Sequence, residues 1–171
     1  MPGQAAHDRF AEVIMPHLDD AYGLARWLTG NSTDAEDIVQ EACLRALKGL
    51  ESYAGGNARA WLLAIVRNTA FTWLARNRPK ALIASENIEA EPVADETATP
   101  EEALIAKADA AALEAAISDL RPPFKEVLVL RDINGCSYRE IAEITGAPIG
   151  TVMSRLARAR SLLIAALGRA F

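Results

Sequence analysis

Hydrophobic positions along this chain recur at helical spacing. Phe10, Val13, Ile14, Leu18, Ala21, Leu24, Ala25 and Leu28 step mostly by three and four, the mark of an amphipathic helix. Pro16 falls inside that pattern and either kinks the helix or restarts it at a first-turn position. Gly30-Asn31 ends it. Thr33 and Glu36 then fit a capping box, with Thr33 as N-cap. In the helix that follows, Ala35, Ile38, Val39, Ala42, Ala46 and Leu47 share one face, and Asp34, Asp37, Gln40 and Glu41 turn elsewhere. Gly49 to Asn57 reads as a loop containing Gly55-Gly56. Asn57 caps a further helix over residues 58–77, where Trp61, Phe71 and Trp73 are interleaved with Arg59, Arg67 and Arg76. Trp61 and Trp73 sit at core spacing. No segment shows strict apolar alternation and β-branched residues do not cluster. The pattern predicts an all-α protein.

From Lys80 to Pro100 the composition shifts to Glu, Ala, Pro, Asp and Thr without an aromatic residue, the composition of a flexible linker. Thr99, Pro100 and Glu102 supply an N-cap, a first-turn proline and a capping-box acid. They predict a helix from Glu101 to about Leu120, with Leu104, Ile105, Ala108, Ala112, Ala115 and Ala116 inward. Pro122-Pro123 breaks it. A short helix carrying Phe124, Val127, Leu128 and Leu130 runs on to a turn at Asn134-Gly135. The expected organisation is a helical domain over residues 1–79, an acidic linker over 80–100 and a second helical domain over 101–171. Each domain is close to the smallest size that supports its own core.

The most informative stretch is Ser137–Leu163, SYREIAEITGAPIGTVMSRLARARSLL. Ser137 and Glu140 form another capping box, and Tyr138, Ile141 and Ala142 make the inward face of a short helix. Gly146-Ala147-Pro148 supplies a tight turn, and a second helix begins near Ile149. Two helices joined in this way are a helix-turn-helix, whose second helix enters the DNA major groove. Val152, Leu156, Ala159 and Leu163 form its core stripe. Gly150, Ser154, Ala157, Arg158 and Ser161 lie opposite, with Arg155 and Arg160 on the flanks. Small residues there permit close approach, and an arginine grips phosphate or guanine.

Charge sharpens this picture. The 171 residues carry 18 Lys and Arg against 23 Asp and Glu, a net charge of −5. That balance looks wrong for a nucleic-acid binder, but the acids are concentrated. Residues 81–106 hold 7 acids and no base, whereas residues 59–80 hold 5 bases and no acid. Residues 144–171 add Arg155, Arg158, Arg160 and Arg169, again without an acid. Two acid-free basic islands separated by an acidic stretch fit polyanion contacts at two places, or else two solvated helix faces. Two cysteines, Cys43 and Cys136, make no disulfide framework and fit a reducing cytosol. The longest apolar runs fall far short of the ~20 residues of a membrane span, and the N-terminus is not a signal peptide. The expected location is the cytoplasm.

At this point the chain resembles a known family. SYREIAEITGAP followed by GTVMSRLARAR resembles the fourth conserved region of bacterial sigma factors. DAEDIVQEACLRAL (residues 34–47) resembles the core-binding helix of the second region, and AWLLAIVRNTAFTWL (residues 60–74) the promoter-melting helix after it. With only these two domains and a short linker, the chain is similar to the extracytoplasmic-function sigma factors. The resemblance covers nearly all of residues 10–167, the linker matching only in character. It implies a transcription initiation factor that binds core RNA polymerase, through the beta-prime clamp helices and the beta subunit, and directs it to promoter DNA. An anti-sigma factor is a further implied partner.

Residue by residue, the resemblance places Asp34, Glu36, Asp37, Gln40 and Glu41 on the polymerase. It places Tyr53, Arg67, Asn68, Thr72 and Arg76 at the minus-10 element, where unstacked bases need pockets and a basic track. Gly150, Thr151, Met153, Ser154, Arg155 and Arg158 would read the minus-35 element, with Arg139 holding a phosphate. Met153 departs from the basic residue many relatives carry, and suits a methyl contact to thymine better than a guanine. The acidic linker fits either a nucleic-acid-like filler of the polymerase channel or a solubilising tether.

Enzyme chemistry finds no support: His7 and His17 have no HExxH, P-loop, GxSxG or Cys-His arrangement near them. No metal-ligand cluster or cofactor motif is present in the sequence. Cys43, among Ala42, Leu44 and Ala46, reads as core. Cys136, just before the Ser137 cap, reads as open to an exposed, redox-active role. The competing reading is a stand-alone helix-turn-helix regulator whose N-terminal domain senses a signal or dimerises.

Overall fold

The computed structural model describes residues 2–79 and 110–170, and among these every regular element is a helix or a helical turn. The chain divides into two compact units.

The N-terminal unit contains α1 (Pro2–Val13), α2 (Leu18–Thr29), α3 (Ser32–Gly49) and α4 (Ala58–Asn77). Pro16 restarts the chain rather than kinking it, through a 3-10 turn at Met15–His17 that leads directly into α2. Proline suits a first-turn position because the N–H it lacks would have no intrahelical acceptor there. Gly30 closes α2 with a left-handed φ of 73°. The next cap is not the expected one. Asn31, in extended conformation, accepts hydrogen bonds from the backbone N–H groups of Thr33 (2.8 Å) and Asp34 (3.1 Å). With two of the first free donors satisfied, α3 begins at Ser32, and Thr33 is helical rather than the N-cap.

Helices α2, α3 and α4 pack against one another around Leu24, Ile38, Leu62, Leu63 and Val66, all 1% exposed or less. Ala21, Ala25, Ala35, Ala42, Ala46 and Ala70 are buried between them, and their small side chains permit close approach of the helices. Two positions expected on the inward side of α3 differ. Val39 is half-buried and Leu47 is 43% exposed. Asn57 caps α4 as expected, its side chain accepting from the Ala60 N–H at 3.0 Å. Trp61 and Trp73 are half-buried on the flanks of α4 rather than in the core.

The C-terminal unit contains α5 (Ala110–Ser118), α6 (Pro122–Leu128), α7 (Tyr138–Thr145) as far as Ala142, and α8 (Ile149–Ala170). The expected linker, the Thr99 cap and the inward Leu104, Ile105 and Ala108 lie outside the described residues. Within α5 the inward side is Ala116 and Ile117, continued by Leu120, while Ala115 is exposed and Ala112 half-buried. Pro122 both ends the preceding helical run and opens α6 at its first position. Phe124, Val127, Leu128 and Leu130 are buried as expected. A π-helical turn at Val129–Ile133 follows, closed by the Asn134 N–H donating to the Val129 carbonyl at 2.9 Å.

Helix α8 packs against α5 and α6 through Val152, Leu156, Ala159 and Leu163, each 1% exposed or less. The Ser137–Glu140 capping box is present in both directions. The Ser137 N–H donates to Glu140 Oε1 at 3.0 Å, and the Glu140 N–H to Ser137 Oγ at 3.1 Å. Gly146, at φ 73°, supplies the left-handed residue that the α7–α8 turn requires. Cys136 is fully buried, so the exposed thiol expected from its place beside the cap is not there. Its N–H donates to the Leu130 carbonyl and its carbonyl accepts from Arg131 Nη1, both at 2.9 Å.

Candidate polymerase and nucleic-acid interfaces

The first candidate face lies on α3. Glu36, Asp37, Gln40 and Glu41 are exposed, because the opposite positions Ala35, Ile38, Ala42 and Ala46 face α2 and α4. Glu41 pairs with Arg45 one turn on, at 3.1 Å, with both side chains about half exposed. A pair so open to solvent adds little stability and leaves the face available.

Asp34 belongs to a different arrangement. It is half-buried, and its Oδ2 accepts from Arg78 Nη2 at 3.4 Å. Arg78 also donates from Nη1 to the Thr29 carbonyl at 2.6 Å and lies 5.4 Å from the Trp73 ring centroid. One arginine therefore ties the end of α2, the start of α3 and the end of α4. The structure gives Asp34 a structural partner and sets it apart from the open acids after it.

The α3 face also contains apolar residues that sequence reasoning missed. Leu44 is 55% exposed and Leu47 43% exposed. A cavity of about 430 Å³ lies beside them, lined by His7, Phe10, Gln40, Cys43, Leu44 and Leu47. The signal was present in the helical geometry. Seven residues is nearly two turns, so Leu47 falls within ~20° of Gln40. Cys43 is half-buried there, and burial raises its thiol pKa. That shift disfavours the thiolate, the form a nucleophilic cysteine needs.

The second candidate face follows α3, on the loop and on α4. Asn68, Thr72 and Arg76 recur at four-residue steps and are all exposed. Thr72 Oγ1 donates to the Asn68 carbonyl at 2.9 Å. Arg67 lies half-buried over the Phe71 ring, 4.2 Å from its centroid, and donates to Asn68 Oδ1 at 3.2 Å. The guanidinium is thus held beside the row. Tyr53, on the loop, is half-buried rather than open. Its ring is 4.8 Å from that of Trp61, and its hydroxyl donates to the Gly56 carbonyl at 3.0 Å.

The third face is on the helix-turn-helix. Gly150 and Arg158 are exposed on α8, while Thr151, Met153, Ser154 and Arg155 are half-buried. Arg139 is exposed on the first turn of α7. Ser154 Oγ donates to the Thr151 carbonyl at 3.1 Å. Arg160 is committed elsewhere. It grips Asp132 with two hydrogen bonds, Nη2 to Oδ1 at 2.8 Å and Nε to Oδ2 at 3.4 Å. Next to Asp132, Arg131 stacks over Tyr138 at 4.6 Å. The π-helical turn is therefore fastened to both helices of the motif, to α8 by Asp132 and to α7 by Arg131. Among the described residues no group of three His, Cys, Asp or Glu could hold a metal ion, and no helix is long and apolar enough to cross a membrane.

Two helical units, one with an exposed acidic face and one with a helix-turn-helix, define a class that comparison with known proteins makes specific. The Sigma-70 region 2 family matches residues 13–80, and the Sigma-70 region 4 family matches residues 110–163. The chain is 34% identical over 139 residues to the ECF RNA polymerase sigma-E factor of Escherichia coli, covering 77% of this chain and 73% of that protein. It is 36% identical over 160 residues to the ECF RNA polymerase sigma factor SigE of Mycolicibacterium smegmatis, covering 94% of this chain. It spans 62% of the length of that SigE.

Among solved structures, the sigma factor RpoE in complex with the anti-sigma factor NepR from Bartonella quintana superposes with a TM-score of 0.70 at 25% identity. That match covers 93% of this chain and 96% of that one. CnrH in complex with the cytosolic domain of CnrY gives 0.69 at 26% identity, covering 98% and 94%. The chain belongs to the extracytoplasmic-function sigma factors.

Proposed function

We propose that this chain is an alternative sigma factor, a dissociable subunit that binds core RNA polymerase and directs it to promoters. The observation that carries the reading is the order of matches on one chain: a region 2 match over residues 13–80, then a region 4 match over 110–163. The region 2 match displaces a sensing or dimerising N-terminal domain as the account of residues 13–80. The role is one of binding and positioning, with chemistry left to the polymerase, and the place of action is the cytoplasm. We assign residues 1–79 to polymerase docking and the minus-10 element, 80–100 to the linker and 101–171 to the minus-35 element.

Docking on the beta-prime clamp helices falls to Glu36, Asp37, Gln40 and Glu41, whose open carboxylates suit a basic partner, with the beta subunit as a further contact. Asp34 supports this face through Arg78. Asn68, Thr72 and Arg76, with Arg67 beside them, form the track for the displaced strand at minus-10, and Tyr53 shapes the neighbouring loop. Gly150, Thr151, Met153, Ser154, Arg155 and Arg158 meet the minus-35 element, and Arg139 a phosphate. An anti-sigma factor as a partner is supported by the RpoE structure, whose complex is with the anti-sigma factor NepR.

Arg158 tests the assignment. It is exposed, two residues beyond the buried Leu156. Arg158→Ala should leave the thermal melt nearly unchanged, as surface substitutions do. It should weaken promoter binding by the polymerase holoenzyme by ~1–3 kcal/mol and relax preference at one minus-35 position. The promoter would be selected by the wild-type holoenzyme from DNA with randomised minus-10 and minus-35 blocks. Unchanged affinity and unchanged preference would take Arg158 off the DNA-facing side.

A further inference from the structure

The loop between α3 and α4 is restrained from an unexpected direction. Its backbone contains Gly55 and Gly56 at φ 97° and 98°, a conformation that side-chain-bearing residues rarely adopt. Two fastenings come from the loop and α4 themselves. The Tyr53 hydroxyl donates to the Gly56 carbonyl at 3.0 Å, and the Tyr53 ring lies 4.8 Å from the Trp61 ring, tilted by 37°. The third comes from α1. Arg9 Nη2 donates to the Tyr53 carbonyl at 2.8 Å across 44 residues of sequence, and its guanidinium lies 6.0 Å from the Tyr53 ring centroid.

Arg9 thus holds the backbone of the residue whose side chain organises the loop. Helix α1 also packs against the 3-10 turn at Leu50–Ser52 that leads into Tyr53, where Leu50 is buried. Arg9 precedes residue 13, where the region 2 match begins, so the family match does not reach it.

We propose that Arg9 is a positioning residue for minus-10 recognition: it fixes the Tyr53–Asn57 loop against α4, so that α1 takes part in reading the promoter. This rests on the sigma-factor reading above. The physical reason is pre-organisation. A loop that closes on an unstacked base discriminates by the fit of its backbone, and a carbonyl tied from a separate helix cannot drift with the glycines beside it. Arg9 touches no base in this account; it acts through Tyr53.

The test compares Arg9→Met and Arg9→Lys in the full chain, assembled with core RNA polymerase. Methionine keeps the stem but loses donor and charge, and lysine keeps both. Open promoter is measured by permanganate reactivity on the selected promoter and on the same promoter with its most preferred minus-10 base replaced. The ratio of the two is the readout. Arg9→Met should lower that ratio about fivefold, the scale expected for losing one hydrogen bond, with polymerase co-purification unchanged and the melting temperature lowered by only a few degrees. Arg9→Lys should restore most of it.

An equal loss on both promoters, or an unchanged ratio, would overturn the role of Arg9 and leave the sigma-factor reading standing. If the wild-type holoenzyme selected and opened no promoter at all, that reading would fall and the Arg9 proposal with it.

Discussion

Leu156→Asp should abolish the fold of the C-terminal unit. Leu156 is fully buried in the α8 stripe with Val152, Ala159 and Leu163, where α8 meets α5 and α6. Removing a buried leucine side chain costs ~2–5 kcal/mol. Placing a carboxylate there without a partner adds several more, since a buried charge needs compensation. Small domains are stable by only ~5–15 kcal/mol, and a unit of this size stands toward the lower end. The mutant should lose the helical circular-dichroism signal of α5–α8 and their dispersed amide resonances, while those of α1–α4 persist. Set beside Arg158→Ala, it distinguishes the inward from the outward side of α8. Equal melting losses for the two substitutions would mean that the helix is rotated relative to this assignment.

Asp37→Lys should have the opposite signature, a folded protein that no longer joins the polymerase. Asp37 is exposed, next to the buried Ile38. Reversing its charge removes no packing, and a surface change of this sort usually alters stability by no more than ~0.5 kcal/mol. On a docking face, however, it sets like charges together, which costs several kcal/mol. The melting curve should therefore match wild type while co-purification with core polymerase is lost. Normal association by the well-folded mutant would remove Asp37 from the docking face. Asp34→Lys should behave differently, because it breaks the tie to Arg78 and lowers stability as well.

The contrast between Asp34 and Asp37 shows how much of the site was legible in the sequence. Both acids fall in the stretch that resembles a core-binding helix, and spacing alone cannot separate them. The partner that does so, Arg78, lies 44 residues away at the far end of α4. Arg9 and Tyr53 are joined over the same kind of distance. Long-range hydrogen bonds from a side chain to another side chain or to a backbone carbonyl leave no periodic trace.

Local rules were legible where one side chain and one backbone group decide the outcome. The Ser137–Glu140 box, the Asn57 cap and the stripe through Leu156 lie where their patterns predict. At the start of α3 two local rules competed. Asn31 satisfied the Thr33 and Asp34 N–H groups first, and the Thr33–Glu36 box had no role left to fill. Leu47 was assigned inward from its hydrophobicity, but its angle around α3 follows Gln40, and it emerges on the exposed side. For Cys136, a place beside a helix cap suggested exposure. The π-helical turn before it instead folds the chain inward and buries the thiol.

Run-off transcription decides whether this chain confers promoter specificity on RNA polymerase. Core RNA polymerase would be assayed with and without the full chain on DNA selected for binding by the mixture. Transcripts should have one defined start, depend on the added chain, and disappear when either the minus-10 or the minus-35 block is scrambled. Binding of the chain to the same DNA without polymerase, with no start-specific transcript when polymerase is added, would contradict it.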